Sequence, residues 1–281
     1  MAAGNQLKSK KNMLVKRTAS ALVIFILSLA LIITGGWVYT IGLAAILAAA
    51  AWEYTRMFTM GEFTPAQVIT AAGTAACAIA ASYPDFLWVS VVFTISILIT
   101  IIFHVATFSS HPQNGGTGFA ASLSALAYIG FLGSYLVRIR YLPDGLFWII
   151  IAIAPVVIND IAAYLVGSRF GRRPLVPKIS PGKTVEGFIA GSVGGILGGL
   201  VAGLIAATMQ ANINMEQGLI IGILVGITCP LGDLAKSLIK REFGLKNTGN
   251  LIPGHGGVLD RIDTWMWAGP TAYFLILFFL K

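Results

Sequence analysis

Charged side chains are scarce here: Asp, Glu, Lys and Arg make up 11% of the 281 residues, against about 25% in an ordinary soluble domain. That scarcity, beside 57% hydrophobic residues, excludes water as the main solvent of the folded chain. There are 2 cysteines, Cys77 and Cys229, inside separate apolar runs. This excludes both a disulfide framework and a thiolate metal motif. The even-spaced alternation of a membrane β-barrel is missing too.

What the sequence does contain is a succession of apolar runs close to the roughly 20 residues that cross a bilayer as a helix. They fall at 18–34, 37–58, 65–82, 86–108, 119–137, 145–167, 187–209, 217–239 and 264–280. Turn-forming pairs such as Gly35-Gly36, Thr64-Pro65 and Tyr83-Pro84 lie between them. The expected fold is all-α, a polytopic transmembrane helical bundle of about nine spans. Three regions follow: a basic N-terminus (1–17), N-terminal transmembrane helices (18–144), and a C-terminal transmembrane region (145–281) that carries the chemistry. The first run has no small-residue cleavage site near its end, so a retained helix is expected rather than a removed signal peptide.

Short loops rich in Lys and Arg stay on the cytoplasmic side during insertion. With nine crossings and a cytoplasmic N-terminus, sixteen basic residues fall inside and only Arg138, Arg140 and Lys281 outside. The net charge of +8 therefore resides in loops beside the membrane, where lipid head groups and soluble anions are nearer partners than nucleic acid.

Asp160 and Asp233 stand inside apolar runs, where a charge costs about 2.5 to 3.5 kcal/mol and so faces a cavity or a partner. Asp160 shares a helical face with Tyr164 and Gly167. Asp233 is followed by Lys236, Ser237 and Lys240 at i+3, i+4 and i+7. That polar stripe either lines a cavity or forms an ion pair within the bundle. The next loop carries Lys240, Arg241, Lys246, Pro253-Gly254-His255-Gly256-Gly257, Asp260, Arg261 and Asp263. Glycines admit backbone N–H groups close to an anion, cations neutralise phosphate, and Asp oxygens are hard ligands for Mg²⁺. The mixture suits a metal-bound triphosphate. His255 reads equally as a functional group, either a proton carrier or a hydrogen-bond donor to phosphate, and as a structural turn residue.

The other basic loop runs from Arg169 through Lys178 to Glu186. Gly182-Lys183-Thr184 imitates the end of a P-loop, but that motif needs Gly at position 177, which is Pro. Ser180 to Glu186 reads as a helix entry whose free N–H groups favour phosphate. Glycines recur every four residues from Gly187 to Gly203 and again at Gly218, Gly222 and Gly226. These small-residue stripes either pack the two helices together or support a homodimer.

Ser237-Leu238-Ile239-Lys240-Arg241, then Lys246, Pro253-Gly254-His255-Gly256-Gly257, Asp260-Arg261 and Asp263 strongly resemble the signature of the phosphatidate cytidylyltransferases. Gly232-Asp233, Ser180-Pro181-Gly182-Lys183-Thr184 and Asp160 extend the likeness across the C-terminal half. Asn247 departs from it, standing where the family has Asp. The resemblance implies Mg²⁺-dependent transfer of CMP from CTP to phosphatidic acid in a bacterial inner membrane. By analogy with other phosphoryl-transfer sites, Asp233 and Asp260 are expected to bind the metal, with Asp160 and Asp263 as further ligands or orienting groups. Lys240, Arg241, Lys246 and Arg261 would hold the triphosphate, Ser237 and His255 would belong to the catalytic segment, and Lys178, Ser180 and Thr184 would contact substrate. Lys183 and Arg169 would meet the lipid phosphate. A CTP-dependent polyprenol kinase and an anion or lipid transporter are the competing readings; the latter would bring an inverted repeat.

Overall fold

The computed structural model describes residues 23–110, 114–209, 211–245, 247–249, 251 and 256–280. The basic N-terminus 1–17, Lys246, His255 and Lys281 lie outside the described residues.

Among the described residues, each of the nine apolar runs is helical. They form α1 (Val23–Thr34), α2 (Gly36–Thr59), α3 (Gln67–Ala80), α4 (Leu87–Thr107), and α5 (Gly115–Ala125) continuing through a π-helical segment (Leu126–Phe131) into α6 (Leu132–Arg140). Beyond these come α7 (Gly145–Phe170), α8 (Val185–Thr208), α9 (Met215–Thr228) leading into α10 (Pro230–Glu242), the short α11 (Leu259–Ile262) and α12 (Trp265–Phe279). Six of the described helical stretches are long and apolar enough to cross a membrane. The 14 residues of α3 and the 15 of α12 reach only about 21 to 23 Å at 1.5 Å per residue, short of a roughly 30 Å hydrocarbon core. The molecule is a multi-pass helical bundle, and its outward side chains, such as Leu98, Ile102 and Val105 of α4, are apolar and exposed.

The fold departs from an all-α expectation at one place. Ser180–Thr184 is a strand, β2, paired antiparallel with β1 (Pro174–Val176). The expected helix entry from Ser180 is thus corrected: the helix starts at Val185, and Thr184 caps it by accepting the Gly187 N–H at 3.1 Å. Glu186 joins this hairpin to α8, accepting the Arg172 and Arg173 N–H groups at 3.1 and 3.2 Å and pairing with the Arg173 guanidinium at 3.1 Å.

The glycine stripes pack within the chain. A Cβ at Gly199 would lie 2.5 Å from Gly222 Cα and 2.5 Å from the Gly218 carbonyl oxygen, so only glycine lets α8 and α9 approach this closely. Asn159 of α7 locks the same corner, donating to the Gly226 carbonyl at 2.6 Å. Gly199→Leu is expected to destabilise the fold by at least the ~1–3 kcal/mol of an overpacked core. Thermal unfolding in a fixed detergent checks this.

Arg138 and Arg140 also have local work. Arg138 donates to the Tyr83 carbonyl at 2.7 Å and to that of Pro84, beyond the end of α3. Arg140 reaches the Ile32 carbonyl at 2.9 Å, in the last turn of α1. Both satisfy carbonyls left open near helix ends.

Candidate active site

Pro230 starts α10 at its first position, where a missing N–H costs nothing, and the helix then aims one polar stripe inward. Lys236 is 5% exposed. Its ammonium meets Asp233 Oδ1 at 3.0 Å, Asp260 Oδ1 at 3.1 Å and Asp263 Oδ2 at 2.5 Å. One cation therefore gathers three carboxylates from α10, α11 and the residue following α11. Lys240 adds a second contact to Asp260 Oδ1 at 3.1 Å. Lys183, projecting from β2, closes on Asp233 Oδ2 at 2.7 Å, which joins the hairpin loop to the same centre.

A cleft of about 300 Å³ opens beside this cluster. Asp160, Tyr164 and Gly167 of α7, Gly182 to Thr184 of β2, and Asp233 line it. The helical-face reading of Asp160 is seen in the cleft wall. Arg261 acts electrostatically on Asp160.

The remaining selected residues divide. Ser237 is buried and is not among the cleft-lining residues. Arg241 donates to the Ile179 carbonyl at 2.9 Å, so it braces the hairpin against α10. Arg169 and Lys178 are exposed on the hairpin side, and Ser180 is half-buried.

Burial pushes the Asp260 carboxyl up, but the Lys236 ammonium, the Thr248 N–H and Lys240 outweigh it and hold the group at about 2. Its Oδ2 accepts from Thr248 N at 3.0 Å, Thr248 Oγ1 at 3.1 Å and Gly257 N at 3.3 Å. Oδ1 is left for the two lysines. Asp263, more deeply buried, is pushed upward by desolvation against the pull of Lys236, with the Asp233 charge adding to the rise.

Three groups outside the sequence selection complete the surroundings. Tyr128, in the π-helical segment, donates toward the Asp263 and Gly232 carbonyls at 3.2 and 3.3 Å; such segments recur near functional sites. Thr248 holds Asp260, as above. Glu53 of α2 accepts from Leu259 N at 3.0 Å and Thr248 Oγ1 at 3.3 Å. Nothing near Glu53 or Tyr128 in sequence marks either one, although a lone acid in an apolar run is itself a signal.

Among the described residues, no group of three or more His, Cys, Asp or Glu side chains is spaced to enclose a metal by itself. Asp233 and Asp260 both contact the Lys236 ammonium; one or two carboxylates are the protein donors through which Mg²⁺ usually binds, phosphate oxygens and water completing its shell.

A model of the cytidylyltransferase family matches residues 15–279. A phosphatidate cytidylyltransferase of Staphylococcus aureus (strain COL) is 32% identical over 266 residues, covering 93% of this chain and 98% of that protein. A phosphatidate cytidylyltransferase of Bacillus subtilis (strain 168) is 35% identical over 156 residues, 55% of this chain and 57% of its own length. The chloroplastic phosphatidate cytidylyltransferase 4 of Arabidopsis thaliana is 29% identical over 282 residues, 89% of this chain and 70% of its own.

Proposed function

The chain belongs to the cytidylyltransferase family, and from that premise we propose that it transfers CMP from CTP to phosphatidic acid, forming CDP-diacylglycerol and pyrophosphate. The observation that carries the reading is the cluster itself: Asp233, Asp260 and Asp263 held on the Lys236 ammonium, with Lys183 and Lys240 at its edge.

The chemistry asks little of a general base. A phosphate oxygen of phosphatidic acid is already an anionic nucleophile; it bonds to the α-phosphorus of CTP while the bond from that phosphorus to the bridging oxygen breaks, and pyrophosphate leaves with that electron pair. What the protein must do is align two anions and screen their repulsion. Asp233 and Asp260 would hold Mg²⁺, which when bound supplies charge to offset that of the triphosphate. Lys236 and Lys240 keep the carboxylates in place and supply positive charge to the phosphates. Lys183 sits on the cleft side of Asp233, where an incoming lipid phosphate would exchange one anionic partner for another.

We place this site on the cytoplasmic face of a bacterial inner membrane, with a cytoplasmic N-terminus and nine crossings, the short α3 and α12 crossing where the bilayer thins locally to match them. Sixteen of 19 basic residues fall on that side in such an arrangement. CTP is a soluble cytoplasmic ion and phosphatidic acid a bilayer lipid, so a cleft opening at this boundary meets both.

CTP labelled separately at the α- and γ-phosphorus separates this chemistry from that of a polyprenol kinase. With purified protein, phosphatidic acid and Mg²⁺, α-label is expected in lipid and γ-label in pyrophosphate. Label from the γ-position in lipid would instead mean terminal phosphoryl transfer.

A further inference from the structure

Glu53 stands near the end of α2, in the half of the chain whose sequence carries little but apolar runs. It is 2% exposed. Its Oε2 accepts the N–H of Leu259, the first residue of α11, at 3.0 Å and faces the Thr248 hydroxyl at 3.3 Å. Its Oε1 is buried with no hydrogen-bond partner among the described residues.

A carboxylate so placed is a costly way to pack two helices. An apolar side chain would fill the space without the desolvation penalty of a buried charge. Gly257 makes room for it nonetheless: a Cβ there would collide with both Glu53 Oε2 and Thr248 Oγ1, so a larger residue would displace these two side chains. The contacts of Glu53 lead to one place. Leu259 immediately precedes Asp260, and Thr248 donates to Asp260 Oδ2 through N at 3.0 Å and Oγ1 at 3.1 Å. The Thr248 hydroxyl has one proton and two carboxylate oxygens within reach.

We propose that Glu53 is a positioning residue for CMP transfer, fixing Thr248 and the start of α11 so that Asp260 commits Oδ2 to the loop and turns Oδ1 toward Lys236 and Lys240. The proposal rests on the reading that Asp260 serves the transfer reaction. Glu53 touches neither substrate nor metal; it acts through Asp260.

The test uses the full chain in detergent, comparing wild type with Glu53→Gln, Thr248→Val and the double variant. For each, kcat, the KM for CTP, the KM for phosphatidic acid and the thermal midpoint are measured. Glu53→Gln keeps the size of the side chain and an acceptor for Leu259 N–H. It is expected to lower kcat about 10- to 100-fold, the usual loss when a partner of a site carboxylate is removed, with both KM values within about twofold and the midpoint little changed. Thr248→Val leaves α2 intact and is expected to lower kcat similarly. The double variant is expected to lose little more than either single one, because both changes act on the same oxygen. A lowered midpoint with kcat unchanged, or effects that multiply in the double variant, would overturn the proposal. Wild-type protein that transfers no CMP would overturn the reading beneath it.

Discussion

Lys236→Met is expected to lower the stability of the fold by about 3–5 kcal/mol, the scale for removing one partner of a buried ion pair, and to abolish CMP transfer. Lys236 is 5% exposed and meets Asp233, Asp260 and Asp263 together. Methionine approximates the volume but leaves the carboxylates facing one another. Lys183 and Lys240 still reach Asp233 and Asp260, whereas Asp263 keeps neither of those contacts, so most of the penalty falls there. Adding Asp263→Asn to Lys236→Met is therefore expected to recover part of the stability and none of the activity. Unfolding followed in one detergent, alongside CMP transfer, separates the two effects; a single variant as stable as wild type would mean the cluster is not held together by this cation.

Asp260→Asn weighs more heavily on the reaction. Transfer is expected to fall by about 10³-fold or more, which corresponds to roughly 4 kcal/mol of transition-state stabilisation, with a lowered thermal midpoint as well, because the amide N–H₂ group that replaces Oδ1 faces the Lys236 and Lys240 ammoniums. The amide keeps one oxygen to accept from Thr248 and the Gly257 N–H, as Asp260 Oδ2 does now. It loses the charge that Lys236 and Lys240 balance at Oδ1. A variant within about tenfold of wild type would remove Asp260 from the reaction and, with it, the positioning role of Glu53.

Much of this was legible along the chain because it is local. Among the described residues each apolar run is helical, and the stripe from Asp233 through Lys236 to Lys240 follows from helical spacing alone. Asp160 and Tyr164 share a cleft for the same reason. The glycine stripes announced close helix packing but not the choice between a neighbour in the chain and a second copy; the contact of Gly199 with Gly218 and Gly222 lies within the chain. The hairpin escaped notice because its strands are 3 and 5 residues long and include Pro and Gly, so no alternating pattern develops. Arg241 read as a phosphate ligand by its company, and its Nε contact with a carbonyl 62 residues away had no signal in the sequence. Tyr128 carried no signal and Glu53 only that of an acid in an apolar run; neither could be assigned to the site, since their partners lie 104 to 206 positions along the chain. Only tertiary packing brings those partners together.

The most direct measurement of the central claim is the CDP-diacylglycerol made by purified wild-type, Asp233→Asn and Asp260→Asn proteins from phosphatidic acid, CTP and Mg²⁺, quantified by mass spectrometry of the extracted lipid. Robust product from wild type and almost none from either folded variant is the result this account predicts. Product formation by both variants at the wild-type rate would contradict it, placing the transfer away from the carboxylate–lysine cluster.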